Sequence, residues 1–378
     1  MSSDRDDSHA QLSWKTRWVL RRNRILGSGA FQQWAAKTPI FRTIARRKAA
    51  HQFDLIAGFV YTQIVHVYVR AGLIGYLRET PRREKDIAIF AELGEQATDR
   101  LLRAGAALDL VESPQPGLWT LGQTGAELSA NEGAMAMIRH HELLYRDMAD
   151  PMGLLGQPGG ENSSLSQFWT YAASGEADDR DSRPYSDLMA ATQPMVWQQI
   201  LPKYDFGQHR RMLDIGGGSG AFAEAVAGIA PNLELAIFDL PDVVPLAQSR
   251  FAGSLLETRV AVHPGSFRHD PIPQGHDLVT LVRILHDHDD PVVSALLPRI
   301  YQALPAGGRL LIVEPMAGTR GAEPMGDAYF GFYLWAMGSG RPRSVAENRQ
   351  LLEKAGFSAI REIATDLPII ARALVAIK

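Results

Sequence analysis

Residues 211–220 read Arg211-Met-Leu-Asp-Ile-Gly-Gly-Gly-Ser-Gly220, a short apolar run that leads into a glycine-rich turn. A helical pattern over residues 221–230 follows at once. A strand that feeds a glycine-rich turn and a helix N-terminus is a nucleotide-binding arrangement. Glycines at 216, 218 and 220 permit tight turning and let backbone N–H groups approach a ligand without an intervening Cβ.

The acid that ends the next predicted strand favours a ligand with a ribose. Residues 234–239 read as that strand, and Asp239 follows the glycines by about twenty residues, a spacing that suits a ribose diol. Gly216-x-Gly218-x-x-Ala221 also satisfies the dinucleotide pattern, so the glycines alone admit NAD as well as S-adenosylmethionine. Asp214 favours S-adenosylmethionine. It stands two residues before the first glycine, where its carboxylate could face the cationic methionine end of that cofactor.

The rest of the C-terminal half predicts a doubly wound α/β sheet. Three further strands and two helices are expected, over residues 259–263, 277–281 and 308–314 and over 290–304 and 343–356. The last strand-like runs, 359–363 and 371–377, are joined by a connection too short for a helical crossover and should be antiparallel. A parallel sheet closed by one reversed strand is typical of a class I methyltransferase. No second nucleotide site is apparent in the sequence, which argues against NAD as the ligand.

Composition is that of an ordinary soluble globular protein with ample core. The chain has 378 residues, 46% of them hydrophobic, and a formal net charge of −3; this length predicts two or three domains. The absence of cysteine excludes disulfides, thiolate nucleophiles and cysteine-based zinc sites. No apolar run reaches the ~20 residues of a spanning helix, and no signal-peptide pattern is present. We therefore expect a cytoplasmic protein.

The N-terminal segment, residues 12–48, is basic and aromatic. Between residues 15 and 48 it has ten Lys or Arg residues and no acid, interleaved with Trp14, Trp18, Trp34 and other bulky side chains. A basic face opposite aromatic side chains is typical of a helix that lies on an anionic membrane surface. We expect peripheral contact with the inner membrane. Docking of this segment onto the fold is a close alternative, and a non-specific nucleic-acid patch is a weaker one.

Helical patterns followed by a short hairpin characterise the middle of the chain. Apolar residues at helical spacing cover 53–77, shorter helical patterns cover 86–110, and residues 111–121 read as two strands around a Pro/Gly turn. This winged-helix outline raises a DNA-binding regulator as the main non-enzyme hypothesis. The helix near 98–110 offers only Arg100 and Arg103 as base or phosphate donors, so protein–protein contact fits better and no nucleic-acid partner is expected.

His286 is the strongest catalytic candidate because it directly follows a predicted strand, at the edge where ligands of such sheets bind. Methyl transfer to an unactivated hydroxyl requires removal of its proton, and a histidine with a pKa near neutrality suits that step. Glu314, which ends the next predicted strand, could orient the imidazole and stabilise its cationic form. The alternative is that His286 caps the following helix together with acids such as Asp287, so Asp287 has either a catalytic or a structural role.

Four motifs in order resemble one family. They are Leu213-Asp-Ile-Gly-Gly-Gly-Ser-Gly220, Phe238-Asp-Leu-Pro241, Leu285-His-Asp287 and Gly307-Gly-Arg-Leu-Leu-Ile-Val-Glu314. Together they resemble the S-adenosylmethionine-dependent O-methyltransferases that carry an N-terminal winged-helix dimerisation domain, over about residues 50–378. The resemblance implies that His286 is the general base, that Glu314 assists it and that Asp239 binds the ribose. It also implies a homodimer whose N-terminal helices intertwine and contribute to the partner's pocket.

The resemblance and the strand ends together define a cofactor site and three regions of the chain. The expected cofactor-binding residues are Asp214, Gly216, Gly218, Asp239, Leu240, Ser266, Phe267 and Arg283. We divide the chain into a basic extension (1–50), a helical winged-helix dimerisation and substrate-pocket region (51–200) and a methyltransferase domain (201–378). Three positions depart from the family pattern: Ser266 stands where the adenine-binding turn commonly has Asp, His288 replaces a tryptophan, and Pro342 replaces a pocket glutamate.

The acceptor is expected to be large and lipophilic. Residues 327–337 are apolar on nearly every face, which indicates either plain core or, as in this family, a helix that roofs the pocket. We expect Tyr329, Phe330, Tyr333, Leu334 and Met337 to line that pocket with His140, His141 and Tyr145 of a helix over 134–148. The two adjacent histidines cannot share a helix face as i, i+4 metal ligands would, so no metal site is predicted.

Two stretches of the N-terminal half narrow the expected acceptor. Residues 57–63 and 140–145 resemble those of bacterial carotenoid-biosynthesis O-methyltransferases, which methylate a tertiary hydroxyl of hydroxyneurosporene or demethylspheroidene in phototrophs. A carotenoid acceptor is therefore implied by the resemblance. The alternatives are a bacteriochlorophyll precursor, a phenolic or polyketide natural product, and a winged-helix regulator with a vestigial cofactor domain.

Overall fold

A computed structural model describes residues 12–157, 160, 162–169 and 183–378 of the chain. Helices dominate as far as residue 197, and a seven-stranded sheet flanked by helices occupies the remainder. The expected combination of a mainly helical N-terminal region and an α/β sheet is confirmed. Residues 174–184 are polar and acidic, which predicts a surface loop, but all of them except the last two lie outside the described residues.

In the described part of the N-terminal region, ten helices precede the one that leads into the sheet. They span Trp14–Leu26, Gly29–Lys37, Pro39–Arg70, Leu73–Arg78, Glu84–Phe90, Glu95–Ala107, Gln123–Ser129, Glu132–Asp147, Pro151–Gly156 and Ser164–Phe168, and the one that leads into the sheet spans Arg183–Trp197. Proline at the first position of Pro39–Arg70 suits a helix start, where its missing N–H is not needed. This helix continues through residue 50, so the boundary expected there falls inside one uninterrupted element.

The hairpin expected over 111–121 is present. Val111–Gln115 pairs antiparallel with Leu118–Leu121, and Gly117 in the turn has a φ of 74°. The two-residue strand Arg82–Arg83 pairs with the second arm, which completes a three-stranded sheet. Tyr68, Leu73 and Leu102 are fully buried beside it, so this region has a hydrophobic core of its own.

The C-terminal sheet has seven strands, and one of them is reversed. In spatial order they are Val260–Pro264, Glu234–Asp239, Arg211–Ile215, Leu278–Val282, Arg309–Glu314, Arg372–Ile377 and Ser358–Ile363. Arg372–Ile377 is antiparallel to both of its neighbours, whereas the other adjacent pairs are parallel. The expected reversal is confirmed, and the carboxyl ends of the first five strands in this order share one edge of the sheet.

Helices cover both faces of this sheet and bury two separate apolar clusters. The flanking helices are Ala221–Ile229, Val244–Phe251, Asp290–Ala303 and Val345–Lys354. Val345–Lys354 begins at a capping box in which Ser344 and Glu347 satisfy each other's backbone N–H groups. The apolar stretch expected as one helix over 327–337 is divided: Pro324–Phe330 is a π-helix, and Gly331–Met337 continues as an α-helix. Such π turns occur frequently at functional sites.

Candidate active site

Two adjoining cavities lie at the carboxyl edge of the parallel strands. The first is lined by residues that follow the strands Arg211–Ile215, Glu234–Asp239, Val260–Pro264 and Leu278–Val282. The second lies between the helices Arg183–Trp197 and Gly331–Met337. Met189, Arg283 and Asp287 line both cavities. A ligand in one cavity would therefore meet a ligand in the other at these three side chains.

Most of the expected cofactor-binding residues line the first cavity. These are Gly216, Gly218, Asp239, Leu240, Ser266, Phe267 and Arg283. Sequence reasoning did not assign Trp169 and His288 to this site, although both line it too. Trp169 lies between two predicted elements and gave no periodic signal. His288 was recognised only as a departure from the family's tryptophan.

The glycine turn and Asp239 are tied together by backbone hydrogen bonds. The amide of Gly218 donates to one carboxylate oxygen of Asp239 at 2.7 Å, and the amide of Leu240 donates to the other at 2.7 Å. Each oxygen retains a lone pair that could accept from a ligand hydroxyl. Gly218 has a φ of 58°, and a Cβ there would meet no protein atom within 4 Å. The turn thus leaves open space beside a carboxylate of fixed orientation, which suits a ribose diol.

Asp214 occupies a different position from the other expected cofactor residues. It is not among the residues that line the first cavity. Its carboxylate is buried beneath the turn, where Thr280 Oγ1 donates to it at 2.6 Å and a Cβ on Gly217 would lie 2.8 Å from its second oxygen. Burial raises the pKa of Asp214 to about 7, against the effect of the Thr280 hydrogen bond. The Asp214 carboxylate therefore lies beneath the glycine turn and not among the residues that line the cavity.

Arg283 adopts a backbone conformation that is uncommon for a side-chain-bearing residue. Its φ is 58°, immediately after the strand Leu278–Val282. Strained residues of this kind concentrate at functional sites. The guanidinium donates to Thr192 Oγ1 at 2.7 Å, which links the end of the strand to the helix Arg183–Trp197. The Arg283 side chain, held by this hydrogen bond, lines both cavities.

His286 lies between two carboxylates on a 3₁₀ turn, Leu285–Asp287. Its Nδ1 is 3.2 Å from Oε2 of Glu314, and its Nε2 is 3.0 Å from Oδ1 of Asp287. The backbone amide of His286 also donates to Oε2 of Glu314. Both Glu314 and His286 are almost completely buried. The strand end and the turn therefore bring the three expected catalytic residues into one contact group.

The two carboxylates change the proton affinity of the ring. Burial alone disfavours a charged imidazolium, but Asp287 and Glu314 outweigh it and raise the pKa of His286 to about 9. Conversely, the neighbouring histidine lowers the pKa of Asp287 against the effect of its burial. The arrangement stabilises the protonated form of His286. A general base reaches this form after it has taken a proton from its substrate.

A buried arginine holds the turn that carries His286. The guanidinium of Arg343 is fully buried and donates to the backbone carbonyl of Leu285 at 2.6 Å and to that of His288 at 2.8 Å. It also donates to Oδ1 of Asp290 at 2.6 Å. The sequence did not predict the contact between Arg343 and this turn, because Arg343 is distant in sequence from His286. It also lies in a polar stretch whose composition is typical of an exposed loop.

The second cavity is mostly apolar. Tyr329, Phe330, Tyr333, Leu334 and Met337 all line it, beside His286. Counting Met337, five of the eleven methionines in the chain line it: Met137, Met189, Met195, Met325 and Met337. Methionine side chains are flexible and polarizable, so they adapt to an irregular apolar ligand. On the helix Arg183–Trp197, Met189, Thr192 and Met195 recur at a spacing of three residues, a periodic signal that sequence reasoning did not use.

The three side chains expected from the helix Glu132–Asp147 lie behind this lining. Nε2 of His140 is 2.9 Å from the hydroxyl of Tyr333, and Nε2 of His141 is 2.7 Å from that of Tyr329. Tyr145 packs edge-on against His141. Burial lowers the pKa of each histidine to about 4, so both rings are neutral at pH 7 and each Nε2 forms a hydrogen bond with a tyrosine hydroxyl. These residues orient the lining tyrosines.

Neither a metal site nor a membrane span is found in the described part of the chain. The described residues contain no group of three or more His, Asp or Glu side chains that could hold an ion. Among the described helices, none has both the length and the apolarity that a membrane crossing requires.

Comparison with known proteins identifies relatives along nearly the whole chain. The O-methyltransferase domain family matches residues 163–358. Demethylspheroidene O-methyltransferase of Cereibacter sphaeroides is 40% identical over 357 residues, 94% of this chain and 94% of the relative. The enzyme of the same name from Rhodobacter capsulatus is 40% identical over 349 residues, 92% of this chain and 86% of the relative.

A solved structure shares the fold at lower identity. Human N-acetylserotonin methyltransferase in complex with S-adenosylmethionine superposes with a TM-score of 0.70 at 23% sequence identity. The match covers 91% of this chain and 99% of the human one.

Proposed function

Because the chain belongs to the O-methyltransferase family, we propose that it methylates a tertiary hydroxyl of an acyclic carotenoid, with His286 as general base. The family uses S-adenosylmethionine as methyl donor, and members act on small-molecule acceptors. The observation that carries the proposal is that the two cavities meet at Asp287 and Arg283, next to His286. The first cavity has a carboxylate oriented for a ribose, and the second is mostly apolar.

The residues of the first cavity fit the donor. Asp239 and the open glycine turn would hold the ribose, and Leu240, Ser266 and Phe267 would enclose the adenine. When bound, the donor supplies a methyl group on a positively charged sulfur, which leaves as a neutral thioether. No acid is therefore needed for the leaving group, and the protein's chemical task is limited to positioning and to removal of one proton.

The lining of the second cavity suits a largely apolar acceptor with a single polar end. Its lining is dominated by methionine, leucine, isoleucine and aromatic side chains, and its polar groups are concentrated around His286, Asp287 and Arg283. An acceptor with one terminal hydroxyl and a hydrocarbon body matches this distribution. The two bacterial relatives are named for a carotenoid acceptor, and their identity to this chain supports the same substrate class.

Proton removal would be performed by His286. A tertiary alcohol is a weak acid, so its oxygen becomes a competent nucleophile only as the proton leaves. In the proposed reaction the hydroxyl takes the place of Asp287 at Nε2, the proton passes to that nitrogen, and the oxygen bonds to the methyl carbon. Glu314 at Nδ1 holds the ring in position and stabilises the imidazolium that forms.

We further infer that the active form is a homodimer. On the helix Pro39–Arg70, Phe53, Ile56 and Phe59 are 60%, 70% and 73% exposed in the single chain. A contiguous group of large apolar side chains on one helix is a common mark of a protein–protein contact. Dimerisation through this helix would bury it, and the oligomeric state in solution tests this.

Peripheral membrane contact through residues 12–48 is the remaining part of the proposal. The helix Trp14–Leu26 has no buried residue, and Trp14 and Trp18 are more than half exposed. Five Lys or Arg residues lie on the same helix, which favours anionic headgroups. Cosedimentation with phosphatidylglycerol vesicles but not with phosphatidylcholine vesicles would support this contact, and equal recovery in the two supernatants would refute it.

An acceptor comparison tests the central activity. Labelled S-adenosylmethionine is supplied with a detergent-dispersed hydroxycarotenoid, a bacteriochlorophyllide or a phenolic acceptor. We expect label in the carotenoid. Label only in the tetrapyrrole would refute the carotenoid assignment and require a different role for His286, and label only in the phenol would reassign the enzyme to phenolic acceptors.

A further inference from the structure

Among the described residues that line the acceptor cavity, one side chain is exposed, and we take its position as the mouth of the cavity. Of its seventeen lining residues, Ile369 alone is exposed, at 48%; the others are buried or half-buried. Ile369 lies in the connection between the last two strands, Ser358–Ile363 and Arg372–Ile377. His286 and Asp287 are among the buried lining residues. The lining therefore combines buried polar side chains at the catalytic residues with one exposed apolar side chain.

The connecting loop is held in place although its apolar side chains face solvent. The amide of Leu367 donates to Oε1 of Gln199 at 2.9 Å, and Oγ1 of Thr365 donates to the carbonyl of Ala371 at 2.7 Å. Leu367 is 49% exposed and stands two positions before Ile369. An anchored loop that presents two branched aliphatic side chains beside a cavity mouth is suited to contact with an apolar ligand.

The proposed acceptor is too long for the cavity alone. The cavity has a volume of about 190 Å³, which is below the ~300–1,000 Å³ of pockets that enclose a drug-sized molecule. An acyclic carotenoid is a stiff, extended polyene considerably longer than such a molecule, and its conjugated chain cannot coil inside. If its hydroxyl end reaches His286, the remainder has to leave through the mouth.

We propose that the acceptor binds with its hydroxyl end first and that its polyene leaves the protein across Ile369 and Leu367. This inference rests on the proposed carotenoid activity. Ile369 and Leu367 contact the hydrocarbon chain rather than the reacting hydroxyl. They are therefore specificity residues, which favour long acceptors over short ones with the same tertiary carbinol end.

The test compares two acceptors in three variants. The acceptors are a full-length hydroxycarotenoid and a short tertiary alcohol with the same carbinol end, each dispersed in the same detergent. The variants are Ile369→Asp, Leu367→Asp and the control Leu255→Asp, whose leucine is 98% exposed and lines neither active-site cavity. Leu367→Asp also guards against a local effect of Ile369→Asp on folding.

The expected result is a loss of preference for length. In Ile369→Asp and Leu367→Asp, the ratio of kcat/KM for the carotenoid to kcat/KM for the short alcohol should fall about tenfold or more, because a carboxylate would lie against hydrocarbon. The ratio should stay at the wild-type value in Leu255→Asp. An unchanged ratio in both loop variants would overturn the proposed route. A wild-type protein that methylates the short alcohol but not the carotenoid would overturn the proposed function itself.

Discussion

Nε2 of His286 lies 3.0 Å from the carboxylate of Asp287, its neighbour in sequence. The opposite nitrogen of the ring contacts Glu314, so the imidazole has an acid at each end. The two carboxylates raise the pKa of His286 to about 9 against the effect of burial. Such a base holds the proton that it takes from the acceptor strongly. It can take that proton only when the imidazole is neutral at the start of the reaction, so turnover should depend on pH.

Replacement of Asp287 by asparagine should move the pH dependence of kcat/KM for the acceptor to lower pH. Neutral His286 is the active form of the base, so in the wild type kcat/KM should rise with pH, reach half its maximum near the pKa of about 9 and level off above it. The asparagine side chain carries no negative charge, so the imidazolium would lose stabilisation and the acid limb should shift down by about one to three pH units. A pH profile of kcat/KM at saturating cofactor measures this, because kcat/KM reports the enzyme before the acceptor hydroxyl displaces Asp287.

Asp289→Asn provides the control for that profile. Asp289 is exposed and accepts from the amide of Gly340, away from the imidazole nitrogens. Its profile should coincide with that of the wild type. Coincident acid limbs in the wild type and Asp287→Asn would contradict the assignment of the titrating group to His286.

Removal of the imidazole should affect chemistry and not cofactor binding. His286→Ala should lower kcat by about 10²- to 10⁴-fold, the usual contribution of a positioned general base. His286 does not line the first cavity, so the affinity for S-adenosylhomocysteine should stay near the wild-type value in calorimetry. Turnover comparable to the wild type would exclude His286 as the base.

Replacement of Asp239 by asparagine should weaken cofactor binding, in contrast to His286→Ala. The carboxylate is oriented by the amides of Gly218 and Leu240 and would accept from the ribose hydroxyls. Loss of charge-assisted hydrogen bonds costs roughly 1.5–3 kcal/mol each, so cofactor affinity should weaken by at least about tenfold. Asp242→Asn, at a nearby exposed acid, should bind normally. Equal affinity in the two variants would argue against the ribose contact.

Arg343→Lys should damage both stability and turnover, whereas Arg341→Lys should be mild. Both arginines pair with Asp290, but only Arg343 is buried and holds the carbonyls of Leu285 and His288. A lysine cannot reach all of these acceptors, and each hydrogen bond lost from the buried guanidinium costs about 1.5–3 kcal/mol. Thermal unfolding and kcat of the two variants, measured side by side, decide this; similar losses in both would refute a particular role for Arg343.

The sequence was most informative where adjacent strands impose geometry. Asp239 and Glu314 each end a strand of the parallel sheet and His286 closely follows another, and the carboxyl ends of parallel strands lie at one edge, so their proximity could be expected. The reversed strand Arg372–Ile377 followed from a connection too short for a crossover. These predictions depend only on local patterns and on sheet topology.

Contacts between distant segments were not predictable in the same way. Arg343 reaches the turn at His286 only because the chain returns over the sheet, and a polar Gly-Arg-Pro-Arg stretch gives no sign of burial. His140 and His141 were expected in the pocket but stand behind Tyr333 and Tyr329. Which helix residues face a cavity, and which support those that do, depends on packing between elements that no local pattern specifies.

The most direct test of the account is the chemical position of the transferred methyl group. The enzyme is supplied with S-adenosylmethionine labelled with carbon-13 in the methyl group and with a hydroxycarotenoid, and the product is analysed by carbon NMR. We expect the label in one methoxy group bonded to the tertiary carbon that carried the hydroxyl. Label in a methyl group bonded directly to carbon, or no labelled carotenoid at all, would contradict base-assisted methylation of the hydroxyl.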